Sequence, residues 1–366
     1  MITLALLLLV AACGEKESGA NNNESDALRA VQLDRKPFYT RNPVSSAVSY
    51  KVESEKIRLA HTGYGDNFGT FTLSFPERRS KRVILEYVMG SVGLRPGDYD
   101  NTTIFYVKNK NSGVWHELVR AITPFGGIFD SSWEKRFYID ITEYQSLLQG
   151  ETEFRYCYDG WDATETMAHA VTLRFIHYEG EPERELIAVE NIYDSSISDN
   201  TGNRAWAYGL SDYDIEAEER LGKRTITIPQ GTTDIELRFS ITGHGHDQGT
   251  FPDVEGYQTI NAAEFDENYY TIYIDGIKQS HEGHIFYSNA DNYLQYGTYS
   301  YDRANWAPGN PANTHFWSIK QDKDARELTI DIDLRRFESQ FTKPSDSNGV
   351  ARYVVHGDLF FYNHSK

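Results

Sequence analysis

The sequence predicts an all-β protein with two sandwich-like or barrel-like domains. Apolar residues alternate with polar ones along several short segments, most clearly at 235–242 and 328–334. A period of two is typical of strands that place one face against a core. The chain contains 25 Tyr, 19 Phe and 6 Trp, and aromatic residues favour strands over helices. Its 366 residues suit two domains rather than one.

The predicted strands follow one another with little helical pattern between them. Alternation also predicts strands over 71–75, 83–89 and 154–158. Only Ile141 to Leu148 and Glu216 to Leu221 have a spacing that predicts a short turn of helix. Many short strands separated by turn residues are typical of sandwiches and barrels. A charged stretch with Gly and Pro at 179–184 predicts an N-terminal domain at 44–181 and a C-terminal domain at 182–366.

The first residues are typical of an exported bacterial lipoprotein. A short apolar run, Leu4 to Val10, is followed by Ala-Ala-Cys13. The run is too short to span a bilayer and fits a signal peptide over 1–12. Small residues directly before Cys13 resemble a lipobox, which makes this cysteine the expected lipidated N-terminus; the alternative is an ordinary signal sequence with a chance cysteine. Residues 13–43 begin with a polar stretch and are expected to form a disordered tether. The expected location is the outer membrane or cell surface.

Charge and cysteine content exclude several classes of protein. The formal net charge is −18, so the surface repels the phosphates that dominate nucleic-acid affinity. If Cys13 is lipidated, Cys157 has no partner for an intramolecular disulfide. The sequence has no phosphate-binding Gly-rich loop and no nucleophile elbow. Hydrolytic chemistry, if it occurs, must therefore use carboxylates.

Three predicted loops place acidic residues beside aromatic ones, at 98–101, 159–162 and 262–266. Loops carry function on β scaffolds. A carboxylate among aromatic side chains is partly desolvated, so its pKa rises and it can exchange a proton near neutral pH. The chain has 54 acidic residues, however, and most acids in loops are simply solvated. These patterns alone do not select among them.

Four stretches of the chain resemble the peptide-N-glycosidase F family: Phe105–Phe125, Asp140–Glu153, Ile241–His246 and Asp302–Gly309. They occur in order within a resemblance that runs from about Ser49 to Asn363. The resemblance implies two side-by-side, eight-stranded antiparallel jelly rolls with the active site in the cleft between them. It also implies metal-independent hydrolysis of glycosylasparagine, with no cofactor, on N-glycosylated peptides and proteins. We expect the protein to act as a monomer.

The same resemblance implies the residues of the site. Asp100 matches the principal catalytic acid, Glu264 the second acid from the other domain, and Asp159 a third acid that is Glu in the family. Six further positions match the lining of the cleft and are expected to bind substrate: Trp161, Arg303, His246, Tyr99, Asn101 and Phe265.

The sequence departs from the family at several of these positions. Asn101 replaces an Arg, Tyr99 and Phe265 replace Trp, and Asp159 is one methylene shorter than Glu. The family's disulfide-forming cysteines are absent. These changes put substrate preference, and activity itself, in question.

Two other functions remain open from the sequence. One is a glycan-binding or catalytically weak relative that uses the same cleft. The other is a copper-dependent, monooxygenase-like protein, because His244 and His246 on an extended segment point to one side and could ligate copper or zinc. Against this reading, the His and Met ligands of such enzymes have no evident match here. The ordinary alternative is that both histidines line the cleft or hydrogen-bond the loop backbone.

Overall fold

The computed structural model describes residues 28–62, 68–196, 206–208, 221–245, 263–321, 324–335, 337 and 352–364. These residues form nineteen strands: β1 Ala30–Gln32, β2 Val48–Glu53, β3 Ile57–Arg58, β4 Gly69–Phe75, β5 Arg82–Ser91, β6 Thr102–Lys108, β7 Trp115–Ile122, β8 Lys135–Asp140, β9 Gly150–Tyr158, β10 His169–Tyr178, β11 Arg184–Tyr193, β12 Trp206–Tyr208, β13 Arg224–Thr227, β14 Asp234–His244, β15 Asn268–Ile274, β16 Ile277–Ile285, β17 Thr314–Ile319, β18 Glu327–Leu334 and β19 Arg352–His364. Two short 3-10 helices, Gly126–Ile128 and Thr142–Tyr144, interrupt them. The predicted all-β class is confirmed.

The first sandwich consists of two antiparallel sheets. One has the order β2-β10-β5-β8, with β3 also on β10, and the other has the order β4-β9-β6-β7. The two central strands of the first sheet, β5 and β10, pair along their whole length. Both are buried over nearly all their residues. The core between the sheets includes Leu85, Tyr87, Phe105, Phe137, Phe154, Leu173 and Phe175.

The second sandwich has the same plan. Its larger sheet has the order β1-β17-β14-β19-β11, with β12 on β19, and its smaller sheet has the order β13-β18-β15-β16. Each sandwich therefore contains two four-stranded sheets, as the resemblance implies, together with short additional strands. Inward-facing residues of β14 and β18 fill the core: Ile235, Leu237, Phe239, Ile241, Leu328, Ile330, Ile332 and Leu334.

The outer face of the larger sheet of the second sandwich packs against the first sandwich. Buried guanidinium groups cross this interface. Arg120 on β7 donates to Thr242 Oγ1 and to the Val354 carbonyl oxygen, each at 2.7 Å. In the opposite direction, Arg238 on β14 donates to the Leu118 carbonyl oxygen at 2.6 Å. The polar face of β14 therefore meets the neighbouring domain.

Asp358 on β19 is the centre of this polar interface. It is fully buried and accepts hydrogen bonds at 2.9 Å from Tyr144 Oη and Asn191 Nδ2. His116 Nδ1 lies 2.9 Å from its Oδ1, and His356 Nε2 lies 3.3 Å from its Oδ2. The two histidines hold the pKa of Asp358 far below its usual range, against the effect of burial. A single ionised carboxylate thus joins groups from both sandwiches.

The tether predicted for residues 13–43 ends earlier in the structure than the sequence indicates. Strand β1 pairs with β17 of the second sandwich, and Ala30 is buried. Gln279 Oε1 accepts hydrogen bonds from the backbone N–H groups of Arg29 and Ala30 at 2.7 and 2.8 Å. A three-residue strand carries too little alternation to be recognised from sequence. Residues 1–27, with Cys13 and the predicted signal peptide, lie outside the described residues, so the lipid anchor and location stay predictions.

The predicted helical turn at Ile141 to Leu148 corresponds to the 3-10 helix Thr142–Tyr144. The predicted turn at Glu216 to Leu221 lies outside the described residues, except for its last residue. None of the helices in the described part of the chain is long and apolar enough to cross a membrane.

Candidate active site

Two carboxylates, one from each sandwich, meet at the guanidinium group of Arg303. Arg303 Nη2 lies 3.2 Å from Asp100 Oδ2, and Arg303 Nε lies 3.7 Å from Glu264 Oε1. The arginine side chain is fully buried, whereas each carboxylate is 16% exposed. The site is therefore open to solvent on its acidic side and closed behind the arginine. This arrangement joins three residues that the sequence predicts to act together.

Arg303 is held rigidly by its surroundings. It forms an antiparallel bridge with Tyr287, and its side chain donates to the Tyr301 carbonyl oxygen and to Thr298 Oγ1 at 3.2 and 3.0 Å. The guanidinium carbon lies 4.4 Å from the ring centre of Phe265 and 4.7 Å from that of Trp306. Stacking between aromatic faces suits the planar guanidinium. Arg303 can therefore present two donors to the carboxylates without moving.

Glu264 sits in a turn that precedes β15 and is fixed through its backbone. Its N–H donates to the Gly245 carbonyl oxygen at 3.1 Å, and its carbonyl oxygen accepts from Ala304 N–H at 2.9 Å. The second of these bonds joins the turn directly to the residue after Arg303. This backbone hydrogen bond therefore fixes the position of Glu264 relative to Arg303.

Asp100 lies in the loop between β5 and β6, and a buried acid beneath the loop holds both of its neighbours. Asp162 Oδ2 accepts from Tyr99 N–H at 3.1 Å, and Asp162 Oδ1 accepts from Asn101 Nδ2 at 3.2 Å. Tyr158 Oη also donates to Asp162, at 2.6 Å. A Cβ atom added at Gly97 would lie 2.1 Å from Asp162 Oδ2, so the loop is in close contact with this carboxylate.

The electrostatic environment raises the pKa of Asp100 to about 7. Burial is the largest cause, and the nearby charge of Glu264 adds to it. Arg303 opposes both through its charge and its hydrogen bond. A carboxyl group with this pKa can take up or release a proton near neutral pH, which general acid-base catalysis requires.

Each aromatic residue predicted to bind substrate lies within two residues of a predicted site acid in the chain. Trp161 is 70% exposed and stacks on His61, with ring centres 3.8 Å apart. Tyr99 is 63% exposed beside Asp100. Phe265 is half-buried between Arg303 and Tyr301. An exposed, supported indole face is suited to the apolar side of a sugar ring.

Asp159 and Asn101 both lie close in the structure to the loop that carries Asp100. Asp159 is half-buried, follows β9 directly, and donates its backbone N–H to the Thr102 carbonyl oxygen at 3.2 Å. It therefore lies beside the end of the loop that carries Asp100. The Asn101 amide donates to Asp162, Tyr158 and the Tyr99 carbonyl oxygen. Asn101 is thus engaged in holding the loop.

The remaining predicted site residue, His246, lies outside the described residues, and with it the proposed His244/His246 copper site. His244 itself is buried, its Nε2 lies 2.7 Å from Thr242 Oγ1, and its ring stacks on Trp306. Burial, the largest cause, and three nearby arginines lower its pKa well below the usual value. Within the part of the chain that the structure describes, no three His, Cys, Asp or Glu side chains are grouped as a metal site.

Asp162 was not singled out from the sequence, because its position beside Trp161 is that of an ordinary loop acid. We expect Asp162→Ala to lower kcat by about 10- to 100-fold with little change in KM, since the loop that positions Asp100 loses the two hydrogen bonds from Tyr99 and Asn101 to Asp162, and Tyr158 on β9 loses a third. Steady-state kinetics on a glycopeptide measures this effect.

The matched control is Asp98→Asn in the same loop. Asp98 forms an exposed ion pair with Arg95, and such pairs contribute little. Equal kinetic effects of the two substitutions would contradict a positioning role for Asp162.

Comparison with known proteins finds relatives that match this chain in sequence and fold. No protein-family model matches the chain. The chain is 27% identical over 344 residues to peptide-N(4)-(N-acetyl-beta-D-glucosaminyl)asparagine amidase F of Elizabethkingia miricola, covering 90% of this chain and 88% of that protein. A crystal structure of peptide-N(4)-(N-acetyl-beta-D-glucosaminyl) asparagine amidase matches with a TM-score of 0.67 and 22% identity, over 87% of this chain and 97% of the other.

A structure of PNGF-II matches with a TM-score of 0.56 and 14% identity, over 93% of this chain and 67% of that one. The fold is thus that of the two-domain β-sandwich glycosylasparagine amidases. The predicted resemblance is confirmed: the chain is similar to peptide-N-glycosidase F in sequence and to its crystal structure in fold.

Proposed function

We propose that this protein hydrolyses the amide bond between an N-linked glycan and its asparagine, leaving aspartate in the peptide. The observation that carries the proposal is the meeting of Asp100 and Glu264, from different sandwiches, at the single guanidinium of Arg303. The homologous amidase, 27% identical over most of the chain, supports the same reaction class.

The chemistry of amide hydrolysis gives each group a role. Water attacks an amide only if a base takes its proton while the developing oxyanion and the leaving amine are stabilised. Asp100 orients and deprotonates the water, because its pKa of about 7 suits a base near neutral pH. Glu264 holds the same water or the amide from the facing sandwich. Arg303 supplies fixed positive charge for the oxyanion.

Mass spectrometry of a glycopeptide treated in heavy-oxygen water tests this proposal. Amide cleavage converts the linked Asn to Asp, and the new carboxylate carries the heavy oxygen. An endoglycosidase would instead leave one sugar on an unconverted Asn. Tight binding of the glycopeptide with no conversion would favour the alternative of a glycan-binding relative, for which the shorter Asp159 is the sequence argument.

The pH dependence tests the coupling between the two acids. If ionised Asp100 is the base, kcat/KM rises with pH through about 7. Because Glu264 raises the pKa of Asp100, Glu264→Gln is expected to move this limb to lower pH in the activity that remains. The pH profile of kcat/KM measures the shift.

Glu267→Gln is the matched control, since Glu267 is paired with His284 at 2.6 Å and is exposed. In the Glu267→Gln variant, the pH at which kcat/KM rises should be the same as in wild type. If the rise in kcat/KM of the Glu264→Gln variant occurs at a higher pH than in wild type, or at the same pH, the proposed roles are contradicted.

A further inference from the structure

An exposed apolar surface on the second sandwich adjoins the carboxylate pair. Three large side chains of the connection between β16 and β17 project into solvent: Leu294 is 68% exposed, Tyr296 67% and Tyr301 58%. Ile128, at 49% exposed, follows Gly127, where an added Cβ atom would lie 3.8 Å from Tyr296. We call these four residues the apolar ledge. Large apolar side chains left exposed close to a candidate active site indicate a candidate binding surface.

The ledge is held rigidly from beneath. Gln295, between the two exposed residues Leu294 and Tyr296, is only 4% exposed. Its Oε1 accepts from Phe125 N–H at 3.0 Å, and its Nε2 donates to the Pro308 carbonyl oxygen at 2.9 Å. Hydrogen bonds of the buried Gln295 side chain thus fix the position of a connection whose apolar side chains face water. Fixing a surface before binding reduces the entropy lost when a ligand arrives.

Direct contacts connect the ledge to the carboxylates. Arg303, which touches Asp100, also donates to the Tyr301 carbonyl oxygen and to Thr298. At the other end, Gly127 approaches both Tyr296 and Asp98, two residues before Asp100. The ledge therefore begins at the site and consists of three residues of the second sandwich and Ile128 of the first. Trp161 also stands on the first sandwich, against His61.

A glycosylasparagine has two parts that meet at the bond to be cut, a glycan and a polypeptide. We propose that the apolar ledge binds the polypeptide that flanks the glycosylated asparagine, through its apolar side chains; this inference rests on the proposed function. The Trp161 side is left for the sugars. The enzyme then prefers sites with apolar residues near the asparagine.

The composition of the ledge favours a peptide over a glycan. Sugars stack their C–H faces on aromatic rings, but Leu294 and Ile128 are aliphatic and offer neither a ring face nor a hydrogen-bonding group. Burial of leucine and isoleucine side chains against other apolar groups removes apolar surface from water and is therefore favourable. Apolar side chains of an extended peptide provide such surface.

Two fluorescently labelled glycopeptides with the same glycan test the inference, one with Leu and Phe beside the glycosylated Asn and one with Ser and Gly. We expect wild-type kcat/KM to be roughly tenfold higher for the apolar peptide. The double substitution Leu294→Ser, Tyr296→Ser should remove this preference and leave the polar peptide within about twofold of wild type. Ile277→Ser, at the exposed first residue of β16, should leave the preference unchanged, and thermal unfolding shows whether each variant is folded.

Equal rates for the two peptides in wild type, or an equal loss for both in the double variant, would overturn the inference. So would a loss that follows the size of the glycan instead of the peptide. If wild type cleaves neither peptide, the proposed function fails. Fluorescence anisotropy titrations of the same labelled peptides then still measure whether the protein binds the apolar peptide more tightly than the polar one. The double variant shows whether that difference depends on the ledge.

Discussion

Replacing Asp100 with Asn is expected to lower kcat by about a thousandfold, because the amide cannot accept a proton from water at the reacting position. The substitution keeps the size of the side chain, so substrate binding should change little. Single-turnover release of glycan, measured beside KM or a direct binding constant, separates the two effects. A variant that retains more than about a tenth of wild-type kcat would contradict the role of Asp100.

The same substitution is expected to stabilise the fold above neutral pH. The pKa of Asp100 is raised to about 7 in the folded protein and is near 4 in an unfolded chain. Between these values the folded state holds a proton that the unfolded state has released, so stability falls as pH rises through this window. The uncharged amide of the Asp100→Asn variant carries no such penalty.

At about pH 8, the free energy of unfolding of Asp100→Asn should exceed that of wild type by about 1–3 kcal/mol, and the gain should vanish near pH 4. Denaturant titrations at both pH values measure it. Asp98→Asn is the control, because Arg95 lowers the pKa of Asp98 and its loss brings no gain. A destabilised Asp100→Asn variant at alkaline pH would show that Asp100 is needed for packing.

Replacing Asp358 with Ala is expected to destabilise the protein by about 3–5 kcal/mol, because a buried carboxylate that accepts from both sandwiches is lost. Tyr144, Asn191 and His116 each lose their 2.9 Å contact with it. Groups left buried without an acceptor cost more than the original bonds contributed. The pKa of Asp358 is held below its usual value, so its contribution is present above about pH 4 and is lost on further acidification.

Urea titrations followed by fluorescence and by far-UV circular dichroism measure this effect, since two probes show whether the sandwiches unfold together. The control is Glu185→Gln, which breaks a pair with Arg79 whose side chains are 49% and 57% exposed. That pair should contribute less than about 1 kcal/mol. An Asp358→Ala variant no less stable than the control would mean that the interface is held by its apolar contacts alone.

The fold was predictable because alternation along strands such as β14 assigns residues to faces. It placed Leu237 and Phe239 in a core, as observed. Alternation does not reveal what the opposite face meets, however. Arg238 and Thr242 read as surface residues, yet they lie in the interface between sandwiches. Long-range packing of one domain on another leaves no periodic trace in the sequence.

The site was predictable only in part. Acids beside aromatic residues suggested the loops at Asp100 and Glu264, but only the family resemblance selected these two among 54 acidic residues. Within the loop at 159–162, Asp162 was not predicted as a site residue because its role depends on contacts with Tyr99 and Tyr158 that the local sequence does not encode. The ledge was not predicted because single apolar residues in loops are common; only the structure shows that these are exposed close to the site.

Because Asp100 and Glu264 come from opposite halves of the chain, the proposed activity requires both halves in one protein. A gene fragment encoding either half would supply only one of these two acids. Recombination that joins a half from one relative to a half from another must also preserve the fit around Asp358 and Arg120. Such chimeras should therefore succeed only between close relatives, and the two halves should change together through evolution.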